Sequence, residues 1–218
     1  MTIPFRILPL GDSCLSVVFE EKIDPAINDR CIQIAKSLDD DDEVREAVPG
    51  YHTVAVYFDP LRVERGSLVR RLERRASDSI ALAQPRVEVL SLLKIPVQYG
   101  GECGPDLAAV ADFARCSEDE VVRLHTTAEY RVYMLGFLPG FAYLAPVDQR
   151  IAMPRLDAPR LRVPAGSVGL AGSQTAIYPC DTPGGWRIIG RADIKPFDGA
   201  TPQPFLFKPG MRVKFVAA

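Results

Sequence analysis

Histidine is the scarcest chemically versatile residue in this sequence. Only His52 and His125 occur among 218 residues, so a histidine-rich metal centre would need many carboxylates to complete it, and no bound metal is expected. Cysteine is hardly commoner. Cys14, Cys31, Cys103, Cys116 and Cys180 are odd in number and widely spaced, with no C-x-x-C pair. That excludes the usual zinc and dithiol motifs and points to reduced structural thiols, with no nucleophilic role for Cys180. An excess of positive charge is also missing. The formal net charge is −2, which leaves no surplus of Lys and Arg to neutralise a phosphate backbone, so nucleic acid is not an expected partner. The amino-terminal stretch MTIPFRILPLGDS holds no apolar run long enough for a signal peptide or a membrane span, and the expected compartment is the cytoplasm. There is no G-x-x-x-x-G-K-[ST] loop, no G-x-S-x-G elbow, and no recognisable Ser, His and Asp arrangement. The chain therefore lacks an evident cradle for ATP phosphates and a self-contained hydrolytic triad.

What is present is the composition of a globular protein: 47% hydrophobic and 25% charged residues, enough for one large core or two small ones. Thirteen of the 19 prolines and thirteen of the 16 glycines lie after residue 90, so turn chemistry is concentrated in the later part. The shift predicts two domains, 1–85 and 86–218, with a hinge near Gln84 and Pro85. In the first, FRILPL and CLSVVFE read as strands, and Ile27, Cys31, Ile34 and Leu38 recur at helical spacing behind an Asp24 N-cap with Pro25 at the first helical position. The run Asp39 to Glu43 reads as a solvated turn rather than a metal site. EVREAV and YHTVAVYF form a hairpin around Pro49 and Gly50, and Leu68, Leu72, Ala76 and Ile80 share a face of a second helix. With FRILPL as an additional opening strand, the order β, α, β, β, α, β predicts a small ferredoxin-like α+β sandwich.

The second part opens with a strand around Val87 to Tyr99 and continues with two short helices, PDLAAVADFA and SEDEVVRLHT, the latter opened by Ser117 with Glu120 three residues on as a capping box. Beyond Glu129, short apolar strands alternate with PG, PAG, TPGG and KPG turns, the pattern of a closed or sandwiched β structure. No internal repeat is evident.

The chemistry-bearing stretches are GGECGPDL at Gly100 to Leu107, Leu124 with His125, GFLPGFAYL, Pro154 with Arg155, VPAGSVGLAGSQTAIYP and TPGGWRIIG. In this order they resemble, over essentially the full length, the family of 5-oxoprolinase B-type subunits, which also goes by the names allophanate hydrolase subunit 1 and KipI. The resemblance implies a mainly β, cyclophilin-like barrel in the second domain, and a share in the ATP-dependent opening of 5-oxoproline to glutamate. It implies no cofactor held by this chain, ATP being used by the assembled complex. The implied partners are a homologous C-type (KipA-like) subunit, an A-type (LamB/YcsF-like) subunit and a small-molecule substrate, with no membrane. Two alternatives belong to the same resemblance: an inhibitor of a sensor histidine kinase, and a subunit of a urea- or allophanate-processing enzyme.

Read as chemistry, His125 at a helix end is a candidate proton-transfer group and Arg155 a candidate bidentate partner for a carboxylate, these two being the catalytic candidates. Phe137, Pro139, Gly140 and Phe141, with Tyr143, form a turn whose aromatics can wall a pocket. Ser167, Gln174 and Thr175 belong to a loop of small residues suited to holding a carboxylate or phosphoryl oxygen. Trp186, behind a double glycine, reads either as a pocket lid or as a barrel plug. Each residue also has a structural reading: a satisfied helix-end histidine, core aromatics, tight barrel turns, an exposed ion pair.

Overall fold

The computed structural model describes residues 4–81 and 92–218, which fall into two compact units, Met1–Val89 and Leu90–Ala218. The expected hinge at Gln84 and Pro85 lies outside the described residues.

In the first unit, β1 (Arg6–Pro9), β2 (Cys14–Val18), β3 (Val44–Pro49) and β4 (Thr53–Phe58) form an antiparallel sheet in the order β1-β2-β4-β3. Strand β4 alternates, burying Val54, Val56 and Phe58. These pack with Cys31 and Ile34 of α1 (Pro25–Lys36) and with Leu68, Leu72 and Ala76 of α2 (Arg65–Ala81), so the periods of two and 3.6 meet in one core. The Asp24 carboxylate accepts from the N–H groups of Ala26 and Ile27, satisfying donors that the first turn leaves free. Asp41 and Glu43 of the acidic run pair with Arg71 on α2.

The strand expected to open the second part lies in the second unit. Its described part is β5 (Leu93–Tyr99), which pairs within the second unit, while the sheet edge beside β2 is taken by β1. The reason is local. The tight turn through Gly11, at φ +76°, with the Leu10 N–H on the Cys14 carbonyl, folds β1 straight back onto β2.

The second unit holds α3 (Leu107–Ala114), α4 (Glu118–Thr127), β6 (Tyr130–Leu135), β7 (Ala142–Ala145), β8 (Arg160–Val163), β9 (Ser167–Ala171), β10 (Gln174–Ile177), β11 (Thr182–Gly184), β12 (Arg187–Arg191) and β13 (Arg212–Ala217). Seven strands close a barrel in the order β10-β7-β6-β13-β5-β12-β9, with β5 and β13 parallel and every other pair antiparallel. The ribbon β8–β11 stands apart from it. Alternation along the wall sends Val168, Leu170, Ile177 and Ile189 into the principal core with residues of α3 and α4. Ala171, Ala176 and Ile188 go instead to a smaller cluster on the opposite face, with Phe141, Val163, Tyr178 and Trp186. Trp186 is thus no plug of the barrel core. Gly104 allows the GGECGPDL turn to lie against β12, since a Cβ there would sit 2.1 Å from the Ile189 carbonyl oxygen.

Candidate functional site

The smaller cluster floors a cleft of about 290 Å³ lined by aromatic, proline and glycine residues and one arginine. Phe141, Tyr178 and Trp186 form its buried base, Tyr143 is half-buried on one wall, and Phe137, Arg155, Pro159 and Pro183 stand at the rim. Phe141 meets four rings edge-on: Phe137 at 5.4 Å, Tyr143 at 5.0 Å, Tyr178 at 5.3 Å and Trp186 at 5.5 Å. Such T-shaped contacts place positive ring edges on negative faces and fix the rings relative to one another. Tyr178 and Gly184 require each other, because a Cβ at Gly184 would lie 2.5 Å from the Tyr178 hydroxyl.

Hydrogen bonds to two main-chain carbonyls bring the Pro154–Arg155 segment to this floor. The Leu156 N–H donates to the Gly185 carbonyl at 2.7 Å, and Arg187 Nε donates to the Pro154 carbonyl at 3.2 Å. The Arg155 guanidinium then lies 5.9 Å above the Trp186 ring, a cation–π geometry that leaves its donors at the cleft. Burial raises the pKa of both Tyr143 and Tyr178, offset in part by Arg155 at Tyr143 and by the Trp186 backbone and then Arg155 at Tyr178, so both hydroxyls stay protonated at pH 7. Deeper still, Asp106 accepts from Arg160 at 2.7 Å and from the Ile188 N–H at 2.6 Å, which ties α3, β8 and β12 together beneath Trp186.

Of the residues expected at the site, Phe137, Phe141, Arg155 and Trp186 come together here, with Tyr143. Others are placed elsewhere. His125 and Thr175 lie within the barrel core, fully buried, and bond to one another at 3.0 Å through His125 Nε2. His125 Nδ1 bonds the Tyr99 hydroxyl at 2.7 Å, and its ring stacks on Phe215. Burial lowers the His125 pKa to about 3, so the ring stays neutral at physiological pH. Ser167 is buried at the start of β9 and Gln174 half-buried at the start of β10, neither lining the cleft. Gly140 serves packing, since a Cβ there would meet Phe197 at 2.8 Å, and Pro139 is exposed beside it. Tyr178 and Asp106 fall inside the VPAGSVGLAGSQTAIYP and GGECGPDL stretches without being marked individually there, and no sequence pattern singles out Pro159 or Arg160. The aromatic turn of Phe137, Phe141 and Tyr143 is the sequence signal for the wall.

The cleft-lining residues include no carboxylate, imidazole, thiol or amine. Among the described residues no group of three or more His, Cys, Asp or Glu side chains is arranged to hold a metal ion, and no helix is long and apolar enough to cross a membrane. The second unit is thus a closed barrel bearing an aromatic cleft with a single guanidinium. The chain belongs to the family described as carboxyltransferase domain, subdomain C and D, which matches residues 5–207. It is 41% identical over 207 residues to the B-type subunit of 5-oxoprolinase from Escherichia coli O157:H7, covering 95% of this chain and 93% of that one. It is 38% identical over 225 residues to the B-type subunit of 5-oxoprolinase from Bacillus subtilis (strain 168), covering 99% and 94%. The solved structure of TTHA0988 superposes with a TM-score of 0.82 at 38% identity, over 94% of this chain but only 39% of that longer one.

Proposed function

We propose that this chain is the B-type subunit of an ATP-dependent 5-oxoprolinase, binding the lactam while A- and C-type subunits complete the active site. The observation that carries this is the character of the cleft, which has the groups to bind a small cyclic anion and no group to act on it. Its volume lies at the small end of the range for ligand pockets, about 300–1,000 Å³. The rings of Phe141, Tyr143 and Trp186 suit the faces of a five-membered ring, and Arg155 suits its carboxylate, which a guanidinium binds through two parallel hydrogen bonds. In the reaction, ATP transfers its terminal phosphoryl group to the lactam oxygen, which makes the carbonyl carbon more electrophilic. Water adds to that carbon, the C–N bond breaks as the nitrogen takes up protons and leaves an acyl phosphate, and a second water hydrolyses it to phosphate and the side-chain carboxylate of glutamate. These steps need a phosphoryl donor and a base, which the partner subunits supply, and fixed donors that stabilise the developing oxyanion.

The test is glutamate formation from 5-oxoproline and ATP by this chain alone and by the reconstituted three-subunit set. Turnover is expected only in the set. Robust turnover by the isolated chain would refute its dependence on partners. A set that turns over urea or allophanate but not 5-oxoproline would move the assignment to a urea-processing enzyme. A chain that only inhibits a sensor histidine kinase would make it a regulator.

A further inference from the structure

The GFLPG turn joining β6 to β7 contains a conformation that its chemistry disfavours. Phe137 has φ +70°, in the left-handed region where a Cβ crowds the backbone, and the Leu138 N–H donates to the Gly136 carbonyl at 2.9 Å across it. This is a γ-turn of positive φ, the rare and strained kind. The turn is over-determined from both sides: the Gly136 N–H donates to the Phe141 carbonyl at 3.1 Å, and the Phe141 N–H to the Leu138 carbonyl at 3.0 Å. Glycine would adopt the same backbone without strain, as Gly140 does three residues later at φ +83°. The position instead holds a large aromatic side chain that gains little from burial, since Phe137 remains 60% exposed. That ring stands at the rim of the cleft, perpendicular to Phe141.

A strained backbone and an exposed aromatic are two unfavourable features at one residue, and both are explained if the ring has work at the cleft rather than in the fold. We propose that Phe137 is a specificity-determining cover, held over the cleft mouth by the strained turn, which closes on the ring face of the cyclic amide anchored by Arg155. This rests on the function proposed above. In the free protein, water covers the exposed ring. A compact apolar ring in the cleft removes that surface from water and makes a further edge or face contact. An open-chain product offers no ring face for the cover to close on, so the cover favours the cyclic substrate over the linear product.

The experiment compares Phe137→Gly and Phe137→Ala with the wild type, in thermal unfolding of the isolated chain and in steady-state kinetics of the reconstituted set. Glycine relieves the strain and alanine retains it, so Phe137→Gly is expected to melt above Phe137→Ala and no lower than the wild type. Both variants should raise KM for 5-oxoproline about threefold to tenfold, the worth of one aromatic contact, while kcat changes less. Phe137→Gly melting below Phe137→Ala would show that the turn stores no strain and overturn the proposal. So would an unchanged KM, or loss of co-purification with the C-type subunit, which would make the ring a subunit contact. A wild-type set inactive on 5-oxoproline would instead fail the proposed function, and the cover with it.

Discussion

The barrel core gives the sharpest quantitative prediction, through His125. Its ring is fully buried with both nitrogens hydrogen-bonded, and its nearest ring neighbours are Tyr99, Tyr130 and Phe215, none of which bears a charge at neutral pH. Burial brings the folded-state pKa to about 3, below the ordinary 6.5 of the unfolded chain. The folded state therefore resists protonation, and the sign follows: the stability linked to this group is fully present above about pH 6.5 and is lost as pH falls towards 3. Each pH unit in that window costs about 1.4 kcal/mol, so about 3 kcal/mol is lost by pH 4.5. His125→Phe keeps the stacking on Phe215 but removes the titration. It leaves the Tyr99 and Thr175 hydroxyls without partners and adds volume, for a cost at pH 7 of about 2–5 kcal/mol. Urea unfolding of both proteins at pH 7.0, 5.5 and 4.5 isolates the effect, because every other titrating group cancels in the difference. The gap should close by about 3 kcal/mol at pH 4.5, and the two stabilities should approach or cross. A gap constant with pH would refute the buried neutral imidazole. A variant as stable as the wild type at pH 7 but devoid of turnover in the assembled enzyme would place His125 in the chemistry.

Arg155→Ala should raise KM of the assembled enzyme about tenfold or more while leaving the melting temperature within a degree or two, since an exposed guanidinium contributes little to the fold; an unchanged KM would move the carboxylate site elsewhere. Asp106→Ala leaves Arg160 and the Ile188 N–H without their acceptor and should cost about 2–3 kcal/mol, read as a lower Tm and a shifted Trp186 emission, with Asp106→Asn recovering part of both. Limited proteolysis should cut first near Gln84 to Arg86 and leave two resistant fragments; a stable fragment spanning that point would count against a two-domain chain.

The local elements of this fold were legible because their signals are local. The Asp24–Pro25 start of α1, the β3–β4 hairpin around Pro49 and Gly50, and the Ser117 cap on the Glu120 N–H all follow from neighbours within a few residues. Even there one half failed: the Glu120 side chain does not return to the cap but pairs with Arg123. The cleft was legible where a turn signalled it, at Phe137, Phe141, Tyr143 and Trp186. Asp106 was not, because its meaning lies in an N–H 82 residues away, at Ile188, which no local pattern encodes. His125 misleads for a related reason. A histidine closing an amphipathic helix looks the same whether its ring meets solvent or Thr175 across a barrel, and only tertiary packing decides between a titrating group and a silent one.

The parallel pairing of β5 with β13 sets the order in which the second unit can be built. Val213 must find Leu93, the first residue of β5, across nearly the whole of the unit, so closure is a contact of extreme sequence separation and belongs late in folding. During synthesis β5 and β6 leave the ribosome long before the strand that lies between them exists, and each presents an unpaired row of backbone donors and acceptors in the meantime. For this half of the protein, the interval between making β6 and making β13 is the period of greatest exposure to aggregation, set by the rate of translation rather than by the stability of the finished barrel.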